Sequence, residues 1–369
     1  MDAEGQRTKS QRIFISDCEG PISKNDNAFE LTNHFVPDGD RFFSLISKYD
    51  DVLADVVKRP RYKAGDTLKL ILPFLKAYGA TNKKIEDYSF HNILLVPSAK
   101  DTLRFVTTIM RSFLVSTSYE HYIRSLCALT EFPYENAYCT KLDIDKHRMD
   151  EKEKSRLKKI KEEISAMPMI EIPKNAHSLQ DFSRKDQGTI RRLDEIFWKE
   201  ISKMDSGKML KDVNPVGGIE KANAVQEIAR RLKSSICDVM YVGDSITDVQ
   251  SFQLVKKNGG LTVSFNGNEY AIREADVAVL SDNTIVTSVL ADAFSRFGKE
   301  QVIRLIEEWS PSGLKKYCDN RVLLEQVFKL YPKTLPRVEI ITTGNKEPLM
   351  KESSAFRKTV RGEAIGKLG

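Results

Sequence analysis

With 369 residues, 41% of them hydrophobic and 30% charged, the chain has room for two or three domains, and its composition argues against disordered, collagen-like and membrane classes. Its net charge of +6 is a mild basic excess with no Lys/Arg block interleaved with aromatics, which speaks against a nucleic-acid protein. Five scattered cysteines (Cys18, Cys127, Cys139, Cys237 and Cys318) without a CxxC pair speak against a disulfide framework or a zinc knuckle. The polar start, MDAEGQRTKSQR, lacks an apolar leader core, and runs such as 68–75 are too short to span a membrane, so the expected compartment is the cytoplasm.

The first element is Ile13 to Pro21, IFISDCEGP, which reads as a buried strand stopping at a turn. Asp17 and Glu19 then sit at a strand's carboxyl end, where open α/β sheets place their sites. Two such acids can share a metal or divide nucleophile and acid/base roles; equally, they can be polar residues closing a strand. From 24 to 97 the spacing turns helical, with Phe29, Leu31, Phe35, Phe42, Phe43 and Leu68 among the stripe residues. This insert can bury a small core of its own and roof a site at Asp17, and Lys24, Asn25 and Asp26 could face the crevice.

Ser98, with Asp101 at the capping-box spacing, predicts a helix leading into a strand at 111–116, RSFLVS. Thr117 to Glu120 is a second such box. Hydroxyls at a strand end that runs into a helix N-terminus suit an anion, which makes Ser116 and Thr117 candidate phosphate ligands; the alternative is that they are caps. A short strand is expected over 136–141, then a charged helix over 150–163 with i,i+4 pairs that reads as a solvated face. Ile190, Leu193, Ile196, Phe197, Ile201 and Met204 form a further stripe, so 145–212 reads as a second, mostly helical insertion.

Gly217-Gly218 precedes a helix with Lys221 in its first turn, the wrong end for a cation unless an anion lies nearby. Residues 237–248, CDVMYVGDSITD, repeat the opening logic: an apolar strand, a Gly-Asp corner at Asp244, and Asp248 a helical turn later. Strands over 261–265 and 276–280 follow. Alternating strands and helices predict a parallel sheet wound on both faces. From 282 to about 331 the chain reads as helical, and from 342 its Gly, Lys and Ser content predicts a loose tail.

Asp17-Cys18-Glu19, Ser116 on a strand end, Lys221 at a helix start and Gly243-Asp244 with Asp248 resemble, in order, the four motifs of the haloacid-dehalogenase-like superfamily. The stretch around Asn266-Gly267-Asn268 with Ala275-Asp276 also resembles its small-molecule phosphatases, in the phosphoserine-phosphatase-like subgroup. SDCEGPISKNDNAFELT is similar to an archaeal group labelled as the R subunit of energy-converting hydrogenase A, a label that defines no activity. The fold the resemblance implies is α/β, a Rossmann-like parallel-sheet core formed by 11–23, 98–144 and 213–298. A helical cap would occupy 24–97, the second insertion 145–212, a C-terminal helical extension 299–341 and the tail 342–369.

The function it implies is a Mg²⁺-dependent phosphatase for a small phosphorylated metabolite. Asp17 would be the nucleophile and form an aspartyl-phosphate, with Glu19 as acid/base. Ser116, Thr117 and Lys221 would hold phosphoryl oxygens. Asp17, the Glu19 backbone carbonyl and Asp244 would hold the metal, and Asp248 would brace it. Two departures bear on turnover: Glu19 stands where the family has Asp, and Gly20-Pro21 where it has Gly-Thr. An accessory subunit without useful turnover, bound in a larger complex or homo-oligomer, is therefore a competing reading, and mutase or phosphonate chemistry on the same scaffold a third.

Overall fold

The computed structural model describes residues 12–368. All but Arg12 of the polar start read for a leader, the first residue of the expected core and the last residue of the expected tail lie outside the described residues. The strands are β1 (Ile13–Ser16), β2 (Arg111–Tyr119), β3 (Ala137–Thr140), β4 (Val239–Gly243), β5 (Leu261–Phe265), β6 (Val277–Leu280) and β7 (Arg337–Ile340). They form one seven-stranded sheet in the order β3-β2-β1-β4-β5-β6-β7, parallel except for β7, which pairs antiparallel with β6.

Strand β1 is buried throughout because helices cover both faces of the sheet, which is why it reads as a continuous apolar run instead of alternating. Its side chains divide between two cores: Phe14 packs with Met240, Val242 and Val286, while Ile13 and Ile15 pack with Val225, Ile228 and Tyr241. The chain runs from β1 to β2 on one side and later returns to β4 on the other. That reversal opens a crevice beyond the carboxyl end of β1, the usual ligand position in such sheets.

The two insertions bury a common core. Phe42 and Phe74 of the first and Leu157, Leu193 and Phe197 of the second belong to one buried cluster, with the Phe42 and Phe74 rings 4.8 Å apart. Asp194 fastens them further, accepting from the Tyr49 hydroxyl at 2.5 Å and from Arg59 at 2.6 Å. The first insertion therefore shares its core with the second, a union that stripe spacing does not reveal. The charged helix Glu151–Ala166 follows the same pattern, burying Leu157, Ile160 and Ile164, but one of its charges, Lys161, is buried with them instead of facing solvent.

Three expectations need correction. Ser98 adopts a left-handed conformation and makes no cap bond, so no box forms with Asp101 although the helix Ala99–Ile109 is present. The second box also fails. Thr117 to Tyr119 remain in β2 because Tyr119 pairs with Thr140 and its hydroxyl bonds the Leu68 carbonyl at 2.5 Å, and the helix begins at Glu120. Finally, the stretch read as a loose tail holds the helix Lys346–Arg361, whose buried residues are Leu349, Ser353, Arg357 and Arg361.

Strand β7, also unforeseen, lies between the helical extension and that last helix. All five cysteines are free thiols. Among the described residues no helix is long and apolar enough to cross a membrane.

Candidate active site

Backbone pairing delivers Asp17 to the crevice: its N–H donates to the Val242 carbonyl at 2.8 Å, one step past the end of β1. Its Oδ1 accepts from the Cys18 N–H at 2.6 Å, which orients the carboxylate over the turn. Gly20 closes that turn at φ +100°, and a Cβ there would overlap the Asp244 carboxylate, so only glycine lets the two loops meet.

Lys221, fully buried in the first turn of the helix Ile219–Arg231, reaches Asp17 Oδ2 at 2.5 Å and Asp248 Oδ1 at 2.8 Å. The cation that looked misplaced in sequence is thus held by two carboxylates. Asp248 is a brace with both oxygens in use. Oδ1 also accepts from the Tyr241 hydroxyl at 2.8 Å, and Oδ2 takes the N–H groups of Asp244 and Ser245 at 2.9 and 3.0 Å. One oxygen from each of Asp17, Asp244 and Asp248 lies within 4.8 Å of the others.

Ser116 and Thr117 part company. Between Val115 and Tyr119 the β2–β3 register slips, a bulge of the kind that re-aims side chains beside sites. Ser116 Oγ turns to Ser118, at 3.3 Å from both its N–H and its hydroxyl, and Ser116 does not line the crevice. Thr117 does line it, and its buried Oγ1 has no partner. Glu19 also faces the crevice, but its Oε1 accepts the Asn27 N–H at 2.6 Å, the first residue of the helix Asn27–Phe35.

Burial dominates the proton affinities. It pushes the Asp17 carboxyl up, against the pull of Lys221, while the charges of Asp248 and Asp244 reinforce the rise. Glu19 is held well above the ordinary range by burial and then by the Asp26 carboxylate, with the Asn27 N–H and Arg361 opposing.

Two functional candidates escaped the sequence reading. Arg357 and Arg361, from the C-terminal helix, both bond Asp244 Oδ2, Arg361 at 3.1 Å. The signal was present: Leu349, Ser353, Arg357 and Arg361 recur every fourth residue, a helical stripe whose last two members are cations. Of the residues near the first turn, Asp26 lines the crevice, whereas Asn25 is tied up with Glu30, the Asn92 carbonyl and the Leu94 N–H.

The crevice has a volume of about 90 Å³ and is walled by the core, the first insertion and the C-terminal segment, for example Asp17, Thr117, Phe43, Asp50 and Arg357. Its donors are hard carboxylate oxygens, a set that fits a small divalent cation. Asp17 and Asp244 would supply them, with Asp248 supporting from behind.

The sequence model of haloacid dehalogenase-like hydrolases matches residues 69–291. The chain belongs to the haloacid dehalogenase-like hydrolase family. Within this family the match contains Ser116, Thr117, Lys221, Asp244 and Asp248, while Asp17 and Glu19 precede it. A gene product of Archaeoglobus fulgidus of known structure is 27% identical, with a TM-score of 0.76, covering 97% of this haloacid dehalogenase-like chain and 99% of its own. A phospho-aspartyl intermediate analogue of phosphoserine phosphatase is 14% identical with a TM-score of 0.46, covering 76% of this chain and 98% of that one. An apo phosphoserine phosphatase is 12% identical with the same score, covering 78% and 100%. No curated protein matches the chain.

Proposed function

We propose that this haloacid dehalogenase-like hydrolase is a Mg²⁺-dependent phosphatase acting on a small phosphorylated metabolite. The observation that carries the reading is the ion-pair chain Asp17–Lys221–Asp248, with the Asp244 carboxylate inside the same 4.8 Å cluster. A free anion at Lys221 would complete it, since an ammonium between two acids can shift one bond to a phosphoryl oxygen. The partnerless Thr117 hydroxyl offers a second donor, and Ser116 would have to leave its Ser118 partner to offer another.

In this reading an Asp17 oxygen attacks phosphorus, and the bond from phosphorus to the leaving oxygen breaks as Glu19 gives that oxygen its proton. The raised proton affinity of Glu19, set first by burial and then by the Asp26 carboxylate, suits the donor role because it favours the protonated carboxyl. Glu19 then takes a proton from water, whose oxygen attacks the aspartyl-phosphate, releasing phosphate and restoring Asp17. Asp17, Asp244 and the Glu19 backbone carbonyl would hold the cation. When bound, it supplies the charge neutralisation that lets a carboxylate approach a phosphate.

The test is phosphate release from a panel of phosphorylated metabolites with Mg²⁺, lost in Asp17→Asn. The absence of both turnover and a beryllofluoride adduct across the panel would retire the proposal.

A second reading, an accessory subunit with little turnover, is favoured by the Glu19 carboxylate pinned to Asn27 and by the 90 Å³ crevice, well below the roughly 300–1,000 Å³ of usual ligand pockets. It predicts association with a protein complex, or self-association, that Asp17→Asn leaves unchanged. For either reading we place the protein in the cytoplasm, where its five free thiols would stay reduced.

A further inference from the structure

The C-terminal helix Lys346–Arg361 places two guanidinium groups where the proposed reaction wants a metal ion. Arg357 and Arg361 both bond Asp244 Oδ2, and Arg357 also reaches the Asp244 carbonyl at 3.4 Å. Arg357 and Arg361 are 3% and 9% exposed, so these are buried cations set against buried acids. The same segment closes the crevice beyond them, with Leu368 in its wall and the Leu368 carbonyl accepting from Arg357 at 3.5 Å.

We propose that this helix is an autoinhibitory plug whose arginines compete with the divalent cation for Asp244, so that cation binding releases the helix and opens the crevice. The proposal rests on the cation-dependent phosphatase reading. Its physical basis is repulsion: both guanidinium groups bond Asp244 Oδ2, so a dication on either oxygen of that carboxylate would sit close to two positive charges, and it also demands near-ideal oxygen geometry. Exclusion of one by the other is reciprocal, so whatever binds Asp244 must weaken the helix's docking, and undocking must strengthen binding.

The rest of the helix docks through other contacts. Leu349 packs with Ile272, Ala278 and Leu280, and Ser353 Oγ donates to the Gly267 carbonyl at 2.6 Å. Met350 and Phe356 add partly buried apolar contact and Glu352 pairs with Arg337, while the arginines are the helix's contact with the Asp244 carboxylate. Arg357 Nε is buried and has no partner, an arrangement that leaves the guanidinium incompletely held where it now sits.

Arg361 adds a second consequence of release. Its Nε donates to the Lys24 carbonyl at 3.1 Å, and its Nη2 bonds the Asn25 carbonyl. Those residues lead from the Asp17 turn into the first insertion, whose opening helix is capped by Asp26. One side chain therefore ties both the cation ligand and the strap of the insertion, and losing Asp244 as a partner loosens both.

The experiment uses the full chain and two readouts. First, Mn²⁺ binding is followed by the loss of the free-ion electron paramagnetic resonance signal in wild type, in R357A/R361A and in Arg357→Gln, which keeps polar donors should the double variant fold poorly. The expected result is at least tenfold tighter Mn²⁺ binding in the double variant and a smaller gain in Arg357→Gln. Second, amide hydrogen exchange over 346–368 is measured in wild type with and without Mg²⁺, with faster exchange expected when the cation is present.

Equal Mn²⁺ affinity in all three proteins overturns the plug while leaving the cation site standing. Tighter binding with exchange over 346–368 unchanged by Mg²⁺ also overturns it, because a loss of positive charge alone then accounts for the affinity. No Mn²⁺ binding by any of the proteins removes both the plug and the cation-dependent phosphatase reading beneath it.

Discussion

Lys221 and Asp17, 204 positions apart in the chain, meet at 2.5 Å in the interior. Lys221 Nζ also bonds Asp248, so one ammonium satisfies two carboxylates drawn from β1 and from the loop after β4. A buried charge without a partner is strongly destabilising, so each member of this set depends on the others.

Removing the ammonium should therefore cost more than a typical core substitution. Lys221→Met is expected to destabilise the protein by about 3–5 kcal/mol, since it leaves two buried carboxylates facing each other. The double variant K221M/D248N, which also removes one of those charges, should recover part of the loss. Urea denaturation of the wild type, both single variants and the double variant gives the coupling; strict additivity would mean that the ion-pair chain is not a unit.

Glu19 sets the expected pH dependence of turnover. Its proton affinity is raised in the folded protein, first by burial and then by Asp26, so the proton it donates is lost only as pH climbs through that raised value. Phosphate release should fall on the alkaline side for that reason. Glu19→Gln is expected to lower the rate by about 10²- to 10⁴-fold and to abolish that alkaline limb. A variant with full activity and an unaltered profile would show that another group carries the proton.

These expectations rest on parts of the molecule that differ in how legible they were beforehand. The ends of β1 and β4 were readable because a short apolar run followed by an acid and a turn residue depends on local chemistry, and Asp17, Asp244 and Asp248 do converge. The divergence of Ser116 and Thr117 was not readable, because it comes from a bulge defined by the partner strand β3. Tyr119 shows the same override: its pairing with Thr140 keeps in the strand residues whose local pattern favours a helix cap. The final helix was hidden by composition. Its buried face ends in two arginines, and cations in a stripe read as surface until Asp244 is known to face them.

Gly20 offers a test of how closely the two loops must approach. At φ +100° a side chain is strained, and its first carbon would overlap the Asp244 carboxylate. Gly20→Ala should push the β1 turn and the β4 loop apart, costing about 1–3 kcal/mol in stability and weakening Mn²⁺ binding. Gly344→Ala is the control. Its nearest neighbour would be Thr342 Oγ1 at 3.9 Å, so neither property should change. If Gly20→Ala binds Mn²⁺ as the wild type does, Asp244 does not need the close approach seen here.

Asp50, in the first insertion, gives a stability prediction independent of catalysis. Its carboxylate accepts from the Tyr62 hydroxyl at 2.6 Å and from the Gly65 N–H at 2.9 Å, yet burial, followed by the charge of Asp66, pushes its pKa from 3.8 up to about 8. Between those values the folded protein holds a proton that the unfolded chain has released. Stability arising from this group is therefore full below pH 3.8, declines as pH rises, and levels off above about 8. The slope for one proton is about 1.4 kcal/mol per pH unit. Asp50→Asn, which keeps an acceptor for Gly65 and cannot ionise, removes this contribution. Its stability relative to wild type should rise steadily between pH 5 and pH 8 and stay constant beyond, as read from urea denaturation at each pH. A constant difference across that range would mean that Asp50 ionises as readily in the folded protein as in water.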